Sequence, residues 1–221
     1  MNTYFYIVGG GYQDRPGLGV ERIVAYAKKF GFGSVLGIDL PSEGAGFLPT
    51  KEWKEATKGE KWYIGDTYHV AIGQGDILVT PLQIAAMTAV FANGDKLMRP
   101  HVVNALTSAD GTRTMVQPEV LNPHVVSDSA VQEVRKGMRQ AVTAGSARSL
   151  SALPVAVAGK TGTAEWSSQK APHAWFTSFA PYDDPQLVVT VSVEEGVEGS
   201  TISAPIAKDI YAWYFGPGRK K

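Results

Sequence analysis

Cysteine is absent from the 221-residue sequence, which excludes disulfides, thiolate catalysis and zinc–thiolate sites. Neither sign of charge is in excess, because 21 basic residues stand against 21 acidic ones, and this balance favours neither nucleic acid nor an anionic membrane as a partner. The four histidines show no metal-ligand spacing, and no run of 18 apolar residues occurs. The composition therefore predicts a globular chain, long enough to form one domain of about 200 residues or part of a larger one. No metal or other cofactor is expected.

One short stretch in the last third of the chain gathers the residue types best suited to chemistry. Residues 155–158 are small and apolar and predict a buried strand. Lys160 then adds a positive charge, and Gly162 leaves room for a ligand backbone to lie against the strand. Two hydroxyls complete the set, on Thr161 and Thr163. Together these residues suit an extended peptide substrate that ends in a carboxylate.

Two other interpretations of this stretch need weighing. Gly159-Lys160-Thr161 matches the end of a phosphate-binding loop, but that motif requires a glycine where Pro154 stands. The residues between form a hydrophobic strand and cannot make a cradle of amide groups, so the phosphate loop is rejected. An ordinary strand end that happens to carry a lysine and a threonine stays open at this point.

The rest of the chain predicts helices first and an antiparallel sheet afterwards. Amphipathic or capped segments predict helices over residues 20–30, 51–61 and 82–91, a fourth capped by Ser127 or Ser129, and a C-terminal one capped by Ser203 with Ala207 and Ile210 on one side. Alternating apolar residues predict strands over 155–164, 174–180 and 187–193. This order is typical of an α+β fold.

The ordered series of motifs resembles the C-terminal part of the transpeptidase domain of class B penicillin-binding proteins. The motifs are Gly73-Gln74-Gly75 with Thr80-Pro81-Leu82-Gln83, Lys160-Thr161-Gly162-Thr163-Ala164, His173-Ala174-Trp175-Phe176 and Ala204-Pro205-Ile206-Ala207. Glu52-Trp53-Lys54, Trp62 and Gly65-Asp66-Thr67 resemble the elongation type, which builds the side wall of rod-shaped bacteria. The resemblance covers almost the whole chain, so residues 1–221 are expected to be the C-terminal portion of a single transpeptidase domain.

The resemblance implies an antiparallel sheet packed with helices and a serine acyl-transfer reaction. The family's serine attacks the carbonyl between two D-alanines, and the acyl group then passes to the amine of a neighbouring stem peptide. Lys160 would support proton movement, with Thr161 and Gly162 completing its motif. Thr163 would contact the terminal carboxylate, and its backbone N–H would donate to the oxyanion. Ala164, the next residue of the strand, would also bind the substrate. Asn2 stands where the asparagine of a Ser-x-Asn motif belongs.

The sequence departs from the family pattern at the nucleophile. The serine of Ser-x-Asn would precede residue 1, and the Ser-x-x-Lys motif would lie further upstream, together with the helix that carries it. One literal match, Ser167-Ser168-Gln169-Lys170, falls in a polar loop, whereas the reaction needs its serine and lysine one helical turn apart. We therefore expect a chain that starts within a domain and is inactive by itself.

The resemblance also implies partners and a location. Peptidoglycan stem peptides would be substrates, β-lactams inhibitors, and a membrane-embedded glycosyltransferase of the elongation machinery a partner. The expected place is the periplasmic face of the membrane, held by an N-terminal anchor. Two alternatives remain: a class D β-lactamase or penicillin sensor, and a non-catalytic binding module. The roughly 160 residues between Asn2 and Lys160 favour the transpeptidase over the first alternative.

Overall fold

Residues 2–217, which the computed structural model describes, group into two units. The first unit comprises Met1–Thr80 and Pro100–Gln117, and the second comprises Pro81–Arg99 and Pro118–Lys221. The basic end at 219–221, expected from the sequence to be solvated, lies outside the described residues. Helices and antiparallel strands make up both units, so the predicted α+β class is confirmed. The assignment of the whole chain to a single domain stays a prediction.

The first unit is mainly helical. Helix α1 (Asn2–Gly10) packs against both α2 (Gly19–Lys29) and α4 (Ile64–Ala71), and it approaches α4 closely at Gly9, where an added Cβ would lie 2.4 Å from the Cβ of Ala71. The elements are α1 (Asn2–Gly10), β1 (Gly11–Tyr12), β2 (Arg15–Pro16), α2 (Gly19–Lys29), α3 (Lys51–Lys58), α4 (Ile64–Ala71), β4 (Ala105–Thr107) and β5 (Arg113–Met115). Strands β1 and β2, and likewise β4 and β5, form two-stranded antiparallel hairpins.

Local sequence explains where α3 begins and ends. The hydroxyl of Thr50 accepts a hydrogen bond from the backbone N–H of Trp53 at 3.1 Å, which is an N-cap. Gly59 follows the last helical residue with φ of 67°, a left-handed conformation that glycine adopts without steric cost. The helix predicted over 51–61 therefore ends at Lys58, earlier than its charge pattern indicated.

Two carboxylates shape the long Gly/Pro-rich loop after α2. Glu43 accepts hydrogen bonds from three consecutive backbone amides, those of residues 36–38, at 2.6, 2.8 and 3.1 Å. Asp39 accepts two more, from the N–H groups of Val102 and Val103 at 2.7 and 2.9 Å, and these bonds lower the pKa of Asp39. The loop is thus clamped by its own acidic side chains.

The second unit contains the predicted sheet. Its elements are α5 (Pro81–Asn93), β3 (Leu97–Met98), β6 (Val120–Asn122), α6 (Asp128–Thr143), a 3₁₀ turn (Arg148–Ala152), β7 (Ala158–Ala164), β8 (His173–Ala180), β9 (Leu187–Val193), a π-helical turn (Gly199–Ser203) and α7 (Ala204–Phe215). Strands β7, β8 and β9 are antiparallel in that order, and β3 pairs with β6. Within the described residues, β7 and β9 are the two edges of the sheet.

Each face of the sheet packs on helices. On one face, buried Phe176 and Val189 lie in one cluster with Ala207 and Tyr211 of α7, which confirms the predicted packing of the C-terminal helix. Burial raises the pKa of Tyr211, whose hydroxyl hydrogen-bonds Ser178 at 3.0 Å. The opposite face packs on α5 and α6.

The strand that carries Lys160 begins at Ala158 rather than at residue 155. Two carbonyls just before it are engaged elsewhere. That of Ala156 accepts the backbone N–H of Tyr182 at 2.8 Å, and that of Val157 accepts the Arg139 guanidinium at 2.8 Å. These bonds replace the strand ladder, so residues 155–157 are not in the sheet, although Val157 is fully buried as predicted.

The start of α7 also differs from the prediction. Ser203 makes no capping hydrogen bond, because the π-helical turn before it already gives its backbone helical angles, φ −75° and ψ −36°. Its hydroxyl is buried without a hydrogen-bond partner among the described residues. Ile210, predicted to pack beside Ala207, is 38% exposed. The apolar residues of this helix therefore extend around more of its circumference than the face that packs on the sheet.

Candidate functional site

The predicted site residues 160–164 all lie on strand β7. One edge of β7 is hydrogen-bonded to β8, and no strand of the described residues pairs with its other edge. Because side chains alternate along a strand, Lys160 and Gly162 share the face that packs on α5 and α6. Thr161 and Thr163 point to the face that packs on α7. The motif therefore presents its charge and its hydroxyls on opposite faces, beside a free backbone edge.

Lys160 lies in the third position of β7, and its ammonium donates to the carbonyl of Thr161 at 2.6 Å. The residue as a whole is exposed, but desolvation of its ammonium lowers the pKa of Lys160. No carboxylate contributes to the shift. A lysine with a lowered pKa loses its proton more readily near neutral pH, which suits proton transfer.

Thr161 has a partner that the sequence did not indicate. Its hydroxyl lies 2.7 Å from the hydroxyl of Ser146, in the connection that follows α6. Gly145 fixes this connection, because an added Cβ would lie 2.8 Å from the Cα of Ala141. The sequence signal was limited to a glycine that ends a helix, and nothing in it connected Ser146 to the strand.

Close backbone packing explains the glycine in the motif. An added Cβ on Gly162 would lie 3.2 Å from the Cβ of Trp175, its cross-strand neighbour. The π-helical turn also approaches here, since an added Cβ on Gly199 would lie 2.5 Å from the carbonyl oxygen of Gly162. Packing inside the unit therefore excludes a side chain at Gly199 and leaves little room for one at Gly162. The expectation that Gly162 also makes room for a ligand stays a prediction.

Three threonine hydroxyls form a chain beside Lys160. Lys160, Thr177 and Thr190 face one another across β7, β8 and β9. The hydroxyl of Thr177 lies 2.7 Å from that of Thr190 and 2.6 Å from that of Thr88 on α5. Thr88 donates to the carbonyl of Ile84 at 2.8 Å. A carbonyl only accepts and a hydroxyl has one proton, so the donations run from Thr190 to Thr177 to Thr88. These hydrogen bonds attach α5 to the sheet at the cross-strand position that Lys160 shares with Thr177 and Thr190.

A second polar group lies just beyond the end of β7, and we call its four residues, Trp166, Lys170, His173 and Glu195, the Trp166 cluster. The indole of Trp166 stacks on the ring of His173 with centroids 5.0 Å apart and planes 12° apart. The ammonium of Lys170 lies 4.7 Å from the Trp166 ring centroid and 3.1 Å from a carboxylate oxygen of Glu195. The loop is polar as predicted, but its lysine is engaged in these contacts.

Asn2 is the first residue of α1 and is exposed. It belongs to the first unit and Lys160 to the second, so their joint role stays a prediction. Two cavities of about 300 and 260 Å³ lie in the first unit, and no residue of β7 lines either of them. Within residues 2–217 there is no cluster of metal-ligating side chains, and no helix has the length and apolarity needed to span a membrane.

Comparisons with known proteins point to one family. The family model described as "Penicillin binding protein transpeptidase domain" matches residues 2–212. Peptidoglycan D,D-transpeptidase MrdA of Haemophilus influenzae is 36% identical over 96% of this chain and 34% of its own length. The chain thus spans about a third of the length of this curated relative. A crystal structure of Pseudomonas aeruginosa PBP2 in complex with WCK 5153 has a TM-score of 0.83 at 35% identity, covering 100% of this chain and 48% of that one. A complex between PBP2 and MreC from Helicobacter pylori has a TM-score of 0.78 at 31% identity, covering 97% and 38%.

Proposed function

The chain belongs to the penicillin-binding protein transpeptidase family, and from this we propose that it is part of a peptidoglycan D,D-transpeptidase of the elongation type. The resemblance stated from the sequence is confirmed by the family match and by relatives that carry the name MrdA. The reaction is cross-linking of stem peptides that end in D-Ala-D-Ala, through a serine acyl-enzyme. No comparison favours a β-lactamase, a penicillin sensor or a non-catalytic module.

One observation carries the proposal: a lysine with a lowered pKa lies on an edge strand whose outer backbone groups have no strand partner among residues 2–217. An extended stem peptide can add to that edge through main-chain hydrogen bonds. The charge of Lys160 gives this strand a positive field, and the hydroxyl of Thr163 suits contact with a terminal carboxylate.

In the proposed mechanism, the backbone N–H of Thr163 stabilises the oxyanion that develops on the scissile carbonyl. Its side chain contacts the substrate carboxylate, and Ala164 continues the substrate-binding edge. Lys160 accepts and returns a proton, and Asn2 is assigned as the asparagine of the Ser-x-Asn motif. The serine nucleophile is supplied by a Ser-x-x-Lys helix outside the printed residues.

Ser167 does not fit the role of nucleophile. Its motif partner Lys170 forms an ion pair with Glu195 and lies over Trp166, so its ammonium is already engaged with these two residues. Both residues of the match lie in the loop between β7 and β8, outside any helix.

The proposal extends to partners and place. β-Lactams are expected to acylate the complete enzyme, and a membrane-embedded glycosyltransferase is expected to work with it at the periplasmic face, where an N-terminal segment anchors the protein. The Helicobacter pylori PBP2 structure with MreC supports an assembly of the elongation type.

Labelling of the full-length protein with a fluorescent penicillin tests the proposal. Lys160→Ala is expected to slow acylation by about 100-fold or more, as for a removed proton-transfer group, while the melting temperature changes little. Ser167→Ala is the matched control and should be labelled like the wild type. Unchanged acylation of Lys160→Ala, together with a large fall in melting temperature, would show that Lys160 is structural.

A further inference from the structure

The chain segment that follows α6 crosses from one face of the sheet to the other. Helix α6 lies on one face, because its Met138 shares a buried cluster with Ala158 of β7. Ala147 comes shortly after the helix and is fully buried in the cluster that α7 forms on the opposite face. The chain therefore changes faces between Thr143, where α6 ends, and Ala147.

This crossing runs along the outer edge of β7. Ser146 lies within it, and its hydroxyl is 2.7 Å from the hydroxyl of Thr161, in the middle of the strand. The inner edge of β7 is occupied by β8, in which Phe176 pairs with Thr161. A segment that changes faces beside Thr161 can therefore pass only along the edge that has no strand partner among residues 2–217.

The backbone on both sides of Ser146 is fixed. The N–H of Ala147 donates to the carbonyl of Ala141 at 2.9 Å. Gly145 lies so close to the same residue that an added Cβ would be 2.8 Å from the Cα of Ala141. Ser146 itself is exposed, so its side chain contributes little to packing. Its hydroxyl is therefore presented to Thr161 from a rigid support.

Thr161 connects this support to Lys160. The carbonyl of Thr161 accepts the Lys160 ammonium at 2.6 Å. Pairing with Phe176 of β8 holds Thr161 on one side, and the Ser146 hydroxyl holds it on the side that lacks a neighbouring strand. A misplacement of about 1 Å can slow a reaction about 100-fold, so even a smaller shift of Lys160 has a measurable effect on rate.

We propose that Ser146 is a positioning residue for Lys160 in the acyl-transfer reaction, because it holds the outer edge of β7 at the residue whose carbonyl binds the ammonium. The proposal rests on the proposed function, in which Lys160 transfers a proton. Ser146 acts through the hydroxyl of Thr161 and has no contact with the reacting atoms in this role. Its loss should therefore slow acylation and leave the reversible binding that precedes acylation unchanged.

Rapid-mixing kinetics of the full-length protein with a fluorescent penicillin separate the reversible binding constant from the acylation rate constant. Ser146→Ala is expected to lower the acylation rate constant about three- to tenfold, as for the loss of one hydrogen bond, and to change the binding constant by less than about twofold. Ser146→Thr keeps a hydroxyl and should acylate within about twofold of the wild type. Ser149→Ala, at an exposed serine of the 3₁₀ turn, is the matched control and should behave like the wild type.

A double-mutant cycle with Thr161→Val shows whether Ser146 acts through Thr161. In the Thr161→Val background, Ser146→Ala should slow acylation no further, because the partner hydroxyl is already absent. Two effects that multiply in the double variant, or an unchanged acylation rate constant in Ser146→Ala, overturn the proposal. If penicillin does not acylate the wild type, the proposed function fails and this proposal fails with it. An acylated wild type confines any failure to the role of Ser146.

Discussion

The threonine chain beside Lys160 makes a quantitative prediction about stability. Thr177 is the middle link, accepting from Thr190 and donating to Thr88. Thr177→Val keeps the side-chain shape but removes both hydrogen bonds. At about 1 kcal/mol for each net hydrogen bond, the loss of unfolding free energy should be about 2 kcal/mol. Thr190 is an end link, so Thr190→Val removes one bond and should cost about 1 kcal/mol.

Urea unfolding of the purified variants measures these differences directly. Thr114→Val, on the exposed strand β5, is the matched control and should change the stability by less than about 0.5 kcal/mol. The decisive result is which variant loses more unfolding free energy. Thr177 makes two hydrogen bonds in the chain and Thr190 makes one, so Thr177→Val should lose more than Thr190→Val. If Thr190→Val lost as much unfolding free energy as Thr177→Val, or more, the proposed chain of hydrogen bonds would be refuted.

Four further predictions concern strand β7, helix α6 and the chain as printed. The purified 221-residue chain should gain no mass on incubation with a fluorescent penicillin, and an adduct on Ser167 or any other serine would contradict this. Gly159→Ala should lower stability by about 1–3 kcal/mol in thermal unfolding, since its Cβ would lie 2.6 Å from the Phe176 ring. Gly137→Ala, whose Cβ would meet nothing within 4 Å on α6, should raise stability by up to about 1 kcal/mol. Lys160→Met should be slightly more stable than the wild type near neutral pH. Because the pKa of Lys160 is lowered in the folded state, the unfolded wild type binds more protons than the folded wild type, and the stability of the wild type rises with pH. The difference in unfolding free energy between the variant and the wild type should therefore narrow as pH rises towards about 10.4. Urea unfolding across this pH range measures that difference.

Periodic apolar patterns predicted the elements of the second unit well. The strands at 174–180 and 187–193 differ from the observed ones by at most one residue, because their alternation reports one buried face. Of the two serines predicted to cap α6, Ser127 is the cap, since its hydroxyl accepts the N–H of Ala130. Helices α1 and α4 were not predicted. Their short, glycine-containing segments have weak helical patterns, and packing against each other stabilises them.

The candidate site was only partly predictable for a related reason. The motif on β7 could be located because residue type and order identify it. Its partners come from distant segments, as with Ser146 at Thr161 and Thr88 at Thr177. No local pattern specifies which hydroxyls meet across a sheet, since tertiary packing decides it. The same holds for Glu195, whose carboxylate lies 3.1 Å from the Lys170 ammonium.

The Lys170 ammonium is held by two groups from different segments, the Trp166 ring in its own loop and the Glu195 carboxylate just after β9. This one side chain therefore links the loop between β7 and β8 to the turn that follows β9. Neither segment can move away from the other without breaking the ion pair.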